Sequence, residues 1–168
     1  MPKGGGKIVT TMEDLSSILW RERELLDTLL FKLEVEQLVL AGGRTRWLAV
    51  AAREIETVLE QIRDVEVLRA VTVDAVAEQL GLEPNASLQQ IADASEEPWR
   101  GIWLDHREAF TTVAFQITEM SESNRALLTA GYKAAQATLL SLSEGPGTYA
   151  ADGSVASDRR SLRLDRSI

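Results

Sequence analysis

Between Met12 and Leu40, large apolar residues recur at alternating steps of three and four: Met12, Leu15, Leu19, Leu26, Leu29, Leu33 and Leu40. Glu22 and Glu36 are the two polar exceptions on that line. Steps of this kind bring every such residue to one side of an α-helix and are the seam of a coiled coil. A strand alternates with period two and cannot gather them on one face. The helix is expected to begin at Thr10-Thr11-Met12, where Thr10 and Glu13 have capping-box spacing. It is expected to end at Gly42-Gly43, where the backbone can take positive φ and reverse.

A second seam follows directly: Leu48, Ala51, Ile55, Val58, Ile62 and Val65, closed by Arg69. It predicts a helix from about Arg44 to Val71, of similar length to the first. So short a link makes the two an antiparallel hairpin over 12–71. Residues 72–95 break the pattern. Thr72 is placed to cap a short helix from Val73 to Leu80, stopped by Gly81. Pro84-Asn85 turns the chain, and Ser87 is placed to cap a second short helix from Leu88 to Ala94.

From Glu96 to Ser143 no breaker occurs, so the last helix should run over 96–143, roughly 70 Å at 1.5 Å per residue. Its seam reads Trp103, Phe110, Val113, Ile117, Met120, Asn124, Leu127, Gly131 and Ala134. Trp99 and Trp103 are expected to rest on Val76, Leu80 and Ile91, closing one end of the bundle. The fold class is therefore all-α: an antiparallel three-helix, coiled-coil-like bundle over 12–143, with two short capping helices and a long protruding C-terminal helix. The Gly-rich lead-in 1–11 and the Gly-, Ser- and Arg-rich tail 144–168 are expected to be disordered.

The formal charge is −8 and there is no cysteine. A net acidic chain repels phosphates, which argues against nucleic acid as a partner. Without cysteine there are no disulfides and no thiolate chemistry. The start of the chain lacks a signal peptide's apolar stretch, and no run of about 18 apolar residues offers a membrane span. A cytoplasmic protein with no membrane insertion is expected. His106 is the single histidine, with no second His or Cys to complete a metal site or a triad, and it reads as structural. No glycine run has the strand before and helix after that a phosphate loop needs. Catalytic, cofactor and metal sites are all expected to be absent.

The stretch from Val73 to Ala92 mimics a helix-turn-helix through Ala77, Leu80, Gly81, Leu82, Leu88 and Ile91. Its would-be recognition helix has no Lys or Arg, and Asp93, Glu96 and Glu97 flank it, so DNA regulation is the weaker alternative. The stronger signal lies at the far end of the last helix. Leu128, Tyr132, Ala135, Leu139 and Leu142 form a stripe rotated by roughly 60° from the seam used earlier. Apolar surface left over after the hairpin is covered marks a partner site, suited to an amphipathic helix or to self-association as a homodimer. A generic coiled-coil adaptor or structural protein would also carry such a stripe.

Leu15, Ile18, Leu19, Glu22, Leu25 and Leu29, then the hairpin, then Asn124-Arg125 with Leu127, Leu128 and Gly131, together resemble the FlgN family of flagellar export chaperones. The stretches WRERELL (20–26) and GRTRWLAVAAREIE (43–56) are similar to its actinobacterial branch in particular. The resemblance spans about residues 13–143 and leaves the 72–95 region and the tail outside the general pattern. It implies a cytosolic chaperone of type III flagellar export, with no catalysis and no cofactor. The implied clients are hook–filament junction proteins of the FlgK and FlgL type, bound by their C-terminal helical region, kept from premature assembly and delivered to the export apparatus at its gate. It also implies that Asn124, Leu127, Leu128, Gly131, Tyr132, Ala135, Leu139 and Leu142 bind the client.

Overall fold

The computed structural model describes the backbone of residues 5–143, 148–149 and 155–156, and the side chains of residues 11–143. Among the described residues four α-helices follow one another: α1 (Gly5–Ala41), α2 (Leu48–Gln79), α3 (Leu88–Ala94) and α4 (Trp99–Ser143), with a 3-10 turn at Thr45–Trp47. The chain divides into two compact units, Met1–Leu128 and Thr129–Ile168, and α4 is continuous through the junction. All-α architecture is thus as the leucine seams require.

The first unit is the bundle. α1 and α2 are antiparallel, tied by Lys32 to Glu54 at 2.8 Å, Arg69 to Glu22 at 3.1 Å and Gln79 to Thr11 at 3.0 Å. α4 runs parallel to α1: Arg23 meets Asp105 at 3.0 Å, and further along both helices Gln37 meets Ser123 at 2.8 Å. The seam residues form two apolar clusters. Met12, Leu15 and Leu19 pack with Val76, Ile91, Ala92 and Trp103, and Leu80 and Trp99 rest against them. Leu25, Leu29 and Leu33 pack with Val58, Ile62 and Val65, flanked by Ile117 and Met120 of α4. Leu25, rather than the expected Leu26, is the buried member of its turn.

Both glycine stops act through the same geometry. At Gly43 (φ 62°), the amides of Gly43 and Arg44 bond back to Leu40 and Val39; at Gly81 (φ 73°), those of Gly81 and Leu82 bond back to Glu78 and Ala77. These are paired Schellman bonds, which satisfy the last carbonyls of a helix and need a left-handed residue.

Four expected boundaries differ. α2 begins at Leu48, after the 3-10 turn, and not at Arg44. α1 begins at Gly5 and not at Thr10-Met12, so Thr10 lies within helix and not at its cap. There is one short capping helix and not two: Val73 to Leu80 is the end of α2, which runs unbroken through Thr72. Thr72 does not cap; its hydroxyl donates to the Leu68 carbonyl at 2.9 Å, a bond compatible with helix. Val73, Val76 and Ala77 keep the three- and four-residue spacing toward the first cluster, and that burial outweighs the weak helix preference of Val71-Thr72-Val73. The last helix starts at Trp99, after Pro98, and not at Glu96. α3 is as expected: Ser87 accepts from the Gln90 amide and the Gln90 side chain accepts from the Ser87 amide, a complete capping box.

Of the second unit, the structure describes helix Thr129–Ser143 and an antiparallel pairing of Thr148–Tyr149 with Val155–Ala156. The remainder of the expected tail, and residues 1–4 of the lead-in, lie outside the described residues.

Candidate functional site

The two polar exceptions on the α1 seam are answered by polar residues of the facing seams. Glu22 is 3% exposed and meets Arg69, the residue that closes the α2 seam. Burial raises the Glu22 pKa above the ordinary carboxylate range; Arg69 opposes that shift and neighbouring Glu66 adds to it. Glu36 receives a 2.9 Å hydrogen bond from Asn124 Nδ2, which also donates to the Leu33 carbonyl at 2.9 Å. Asn124 is 2% exposed. The bundle therefore uses this side chain internally, and it is not exposed with the rest of the expected client-binding set.

His106 is also internal. It lies edge-on to Trp20 at 5.1 Å and stacks with Trp103 and Phe110 at 6.5 and 6.2 Å. Neither ring nitrogen has a hydrogen-bond partner among the described residues. Burial lowers its pKa, Arg23 lowers it further and Asp105 pulls the other way. Such a histidine is a neutral core aromatic. Among the described residues no group of three or more His, Cys, Asp or Glu could hold a metal ion, and no helix is long and apolar enough to cross a membrane.

The helix-turn-helix likeness dissolves in the same way. Its first element is the end of α2, and Leu80 to Ser87 separates it from α3, longer than the about three- to four-residue turn of that motif. α3 turns Ile91 and Ala92 into the core against Trp103.

An exposed apolar surface lies on the C-terminal part of α4. Thr129–Ser143 stays helical because Ala and Leu dominate it, and Thr138, Ser141 and Ser143 return their hydroxyls to backbone carbonyls of their own helix. Tyr132, Leu139 and Leu142 are 65%, 67% and 73% exposed, and Gly131 and Ala135 are exposed with them. Lys133 is the single charged residue in this stretch. In the first unit, Leu127 is half-buried and Leu128 is 42% exposed. Leu140, at 64%, is exposed as well, about 100° round the helix from Leu139 and so outside the stripe. An uncharged, apolar helical face of this kind offers shape and burial to another helix.

A family model described as FlgN protein matches residues 11–157, and so takes in the hairpin, α3 and all of α4. Comparison with curated proteins and with solved structures finds no match. The helical hairpin, the returning long helix and the model that covers them lead to one conclusion: the chain belongs to the FlgN family of flagellar export chaperones.

Proposed function

We propose that this chaperone works in the cytoplasm on hook–filament junction proteins of the FlgK and FlgL type. It binds their C-terminal helical region through the Tyr132, Ala135, Leu139 and Leu142 stripe, with Leu127, Leu128 and Gly131 extending it, keeps them unassembled and hands them to the export gate. The observation that carries this reading is the exposure of Tyr132, Leu139, Leu140 and Leu142 on a helical segment with almost no charge. A client whose own assembly surface is an amphipathic helix would lay its apolar side on that face, which hides the surface from other clients. Full burial of one Leu is worth about 1.5–3 kcal/mol, so Leu128, Leu139 and Leu142 together supply several kcal/mol before ordering costs are subtracted.

The test is Leu139→Glu in the full chain, assayed by pull-down of junction-protein C-terminal segments and by thermal melting. Capture should fall to background while helicity and melting stay as in the parent, because Leu139 touches no core cluster. Unfolding of the variant, or undiminished capture, overturns the assignment of the stripe. Sedimentation of both proteins at the same concentrations reads out self-association: a dimer that Leu139→Glu converts to monomer, with capture retained, makes the stripe a homodimer face instead.

A further inference from the structure

A second surface, within the first unit, is built differently. Between the Arg23–Asp105 ion pair and the Gln37–Ser123 hydrogen bond, α1 and α4 run side by side for about 20 Å. The space between them is an open groove of about 310 Å³, lined by α1 and α4 alone. Leu30 and Met120 form its apolar floor and Glu34 and Glu119 stand on opposite walls. Phe31 and Leu38 on α1 and Phe115 on α4 are 57%, 72% and 64% exposed beside it.

The charges around the groove are of one sign. Asp27 and Glu34 on α1 and Glu108 and Glu119 on α4 share the groove side at about 100° per residue. All four are exposed, and none is held in an ion pair among the described residues. The nearest bases are already engaged: Arg23 with Asp105 and over the Trp20 ring at 4.3 Å, Lys32 with Glu54. Arg21 on α1 and Arg107 and Arg125 on α4 fall on the far sides of their helices by the same spacing.

We propose that this groove docks a basic amphipathic helix of a partner protein, distinct from the uncharged face on Thr129–Ser143. The occupant's apolar stripe covers Leu30 and Met120, and Lys or Arg on both edges of that stripe face the two acidic walls. Basic side chains suit such a site because their aliphatic stems cover Leu38 and Phe115 while their ends reach the carboxylates; Phe31 already carries Lys32 over its ring at 5.6 Å. The same walls disfavour an acidic occupant, including a second copy of this chain with its formal charge of −8.

The probe is a labelled, helix-stabilised synthetic peptide with a leucine stripe edged by Lys, alongside a counterpart edged by Glu, read by fluorescence anisotropy at physiological salt. The Lys-edged peptide should bind, and Glu34→Lys with Glu119→Lys should weaken it by about tenfold or more. Glu56→Lys with Glu60→Lys changes net charge equally on exposed positions of α2, away from the groove, and should weaken it by less than about threefold. Equal loss in the two double variants reduces the effect to overall charge and overturns the proposal, as does equal binding of the Glu-edged peptide. Leu139→Glu should leave peptide binding unchanged; loss there places the peptide on the C-terminal stripe and also overturns it, whatever becomes of client capture.

Discussion

Arg69→Met removes the guanidinium that faces Glu22 and leaves a carboxylate that is 3% exposed with no cation beside it. Stranding a buried acceptor costs about 1–3 kcal/mol, and the lower half of that range is expected because Arg69 itself is 36% exposed. Urea denaturation of the two proteins measures it. The signs of the two buried titrations are opposite. Glu22 has a raised pKa, so its contribution is present below the ordinary carboxylate range and is lost as pH rises through the folded-state value. His106 has a lowered pKa, so its contribution is present above the unfolded value near 6.5 and is lost as pH falls through the folded-state value. Arg23 from α1 and Asp105 from α4 are the charges acting on it. His106→Phe keeps the aromatic contacts and drops two unpartnered nitrogens, so it should stabilise the bundle by about 1 kcal/mol at neutral pH. The gain should grow below pH 6.5, and denaturation midpoints at pH 7.5 and 5.5 decide it; an unchanged difference between the two pH values would show that His106 does not report on folding.

Among the elements, α3 depends most on its ends. With only 7 residues it has little helical propensity of its own, and its capping box and two buried side chains hold it. Ser87→Ala removes the acceptor for the Gln90 amide and should cost about 1 kcal/mol of overall stability. Hydrogen exchange should show the loss of protection centred on α3 and the Trp99–Trp103 stack, with the hairpin spared. The same element shows what was legible beforehand. Ser87 is a local cap signal, and it places the start of α3 to the residue; that Gln90 completes a capping box is seen only in the structure. The end of α2 was not legible locally: Val71-Thr72-Val73 reads as a break until Val76 is seen to pack with Leu15, Leu19 and Trp103. Thr10 and Glu13 have capping spacing, yet α1 continues back to Gly5, so a spacing alone did not fix that helix start.

For the whole molecule, the leucine seams and the short link at Gly42-Gly43 were enough to specify the hairpin: each seam can bury itself only against another, and so short a link leaves only the antiparallel sense. The candidate site was legible in part. Tyr132, Leu139 and Leu142 are exposed, but so is every residue of 129–143, including Gly131 and Ala134 of the expected seam, whereas Asn124, placed with them by family resemblance, is occupied by Leu33 and Glu36. A polar residue on an apolar seam reads equally as a break or as a pairing, and only the facing seams decide. The acidic groove had no sequence signature at all: Asp27, Glu34, Glu108 and Glu119 belong to two helices that the chain alone does not align.

The parallel course of α1 and α4 has a consequence for how the protein emerges from the ribosome. Lys32 and Glu54 are 22 residues apart, so the turn end of the hairpin can close early in synthesis. The hydrogen bonds and ion pair joining α1 to α4 bridge 82 to 91 residues and wait for most of the chain to be made. Through that interval Leu15 and Leu19 lack Trp103, and the Leu33 carbonyl lacks the Asn124 amide. The nascent hairpin therefore displays a vacant seam of its own, and a neighbouring client helix synthesised at the same time would find there a transient competitor for α4. Slower translation of the α4 codons would lengthen that exposure without altering a single contact of the finished bundle.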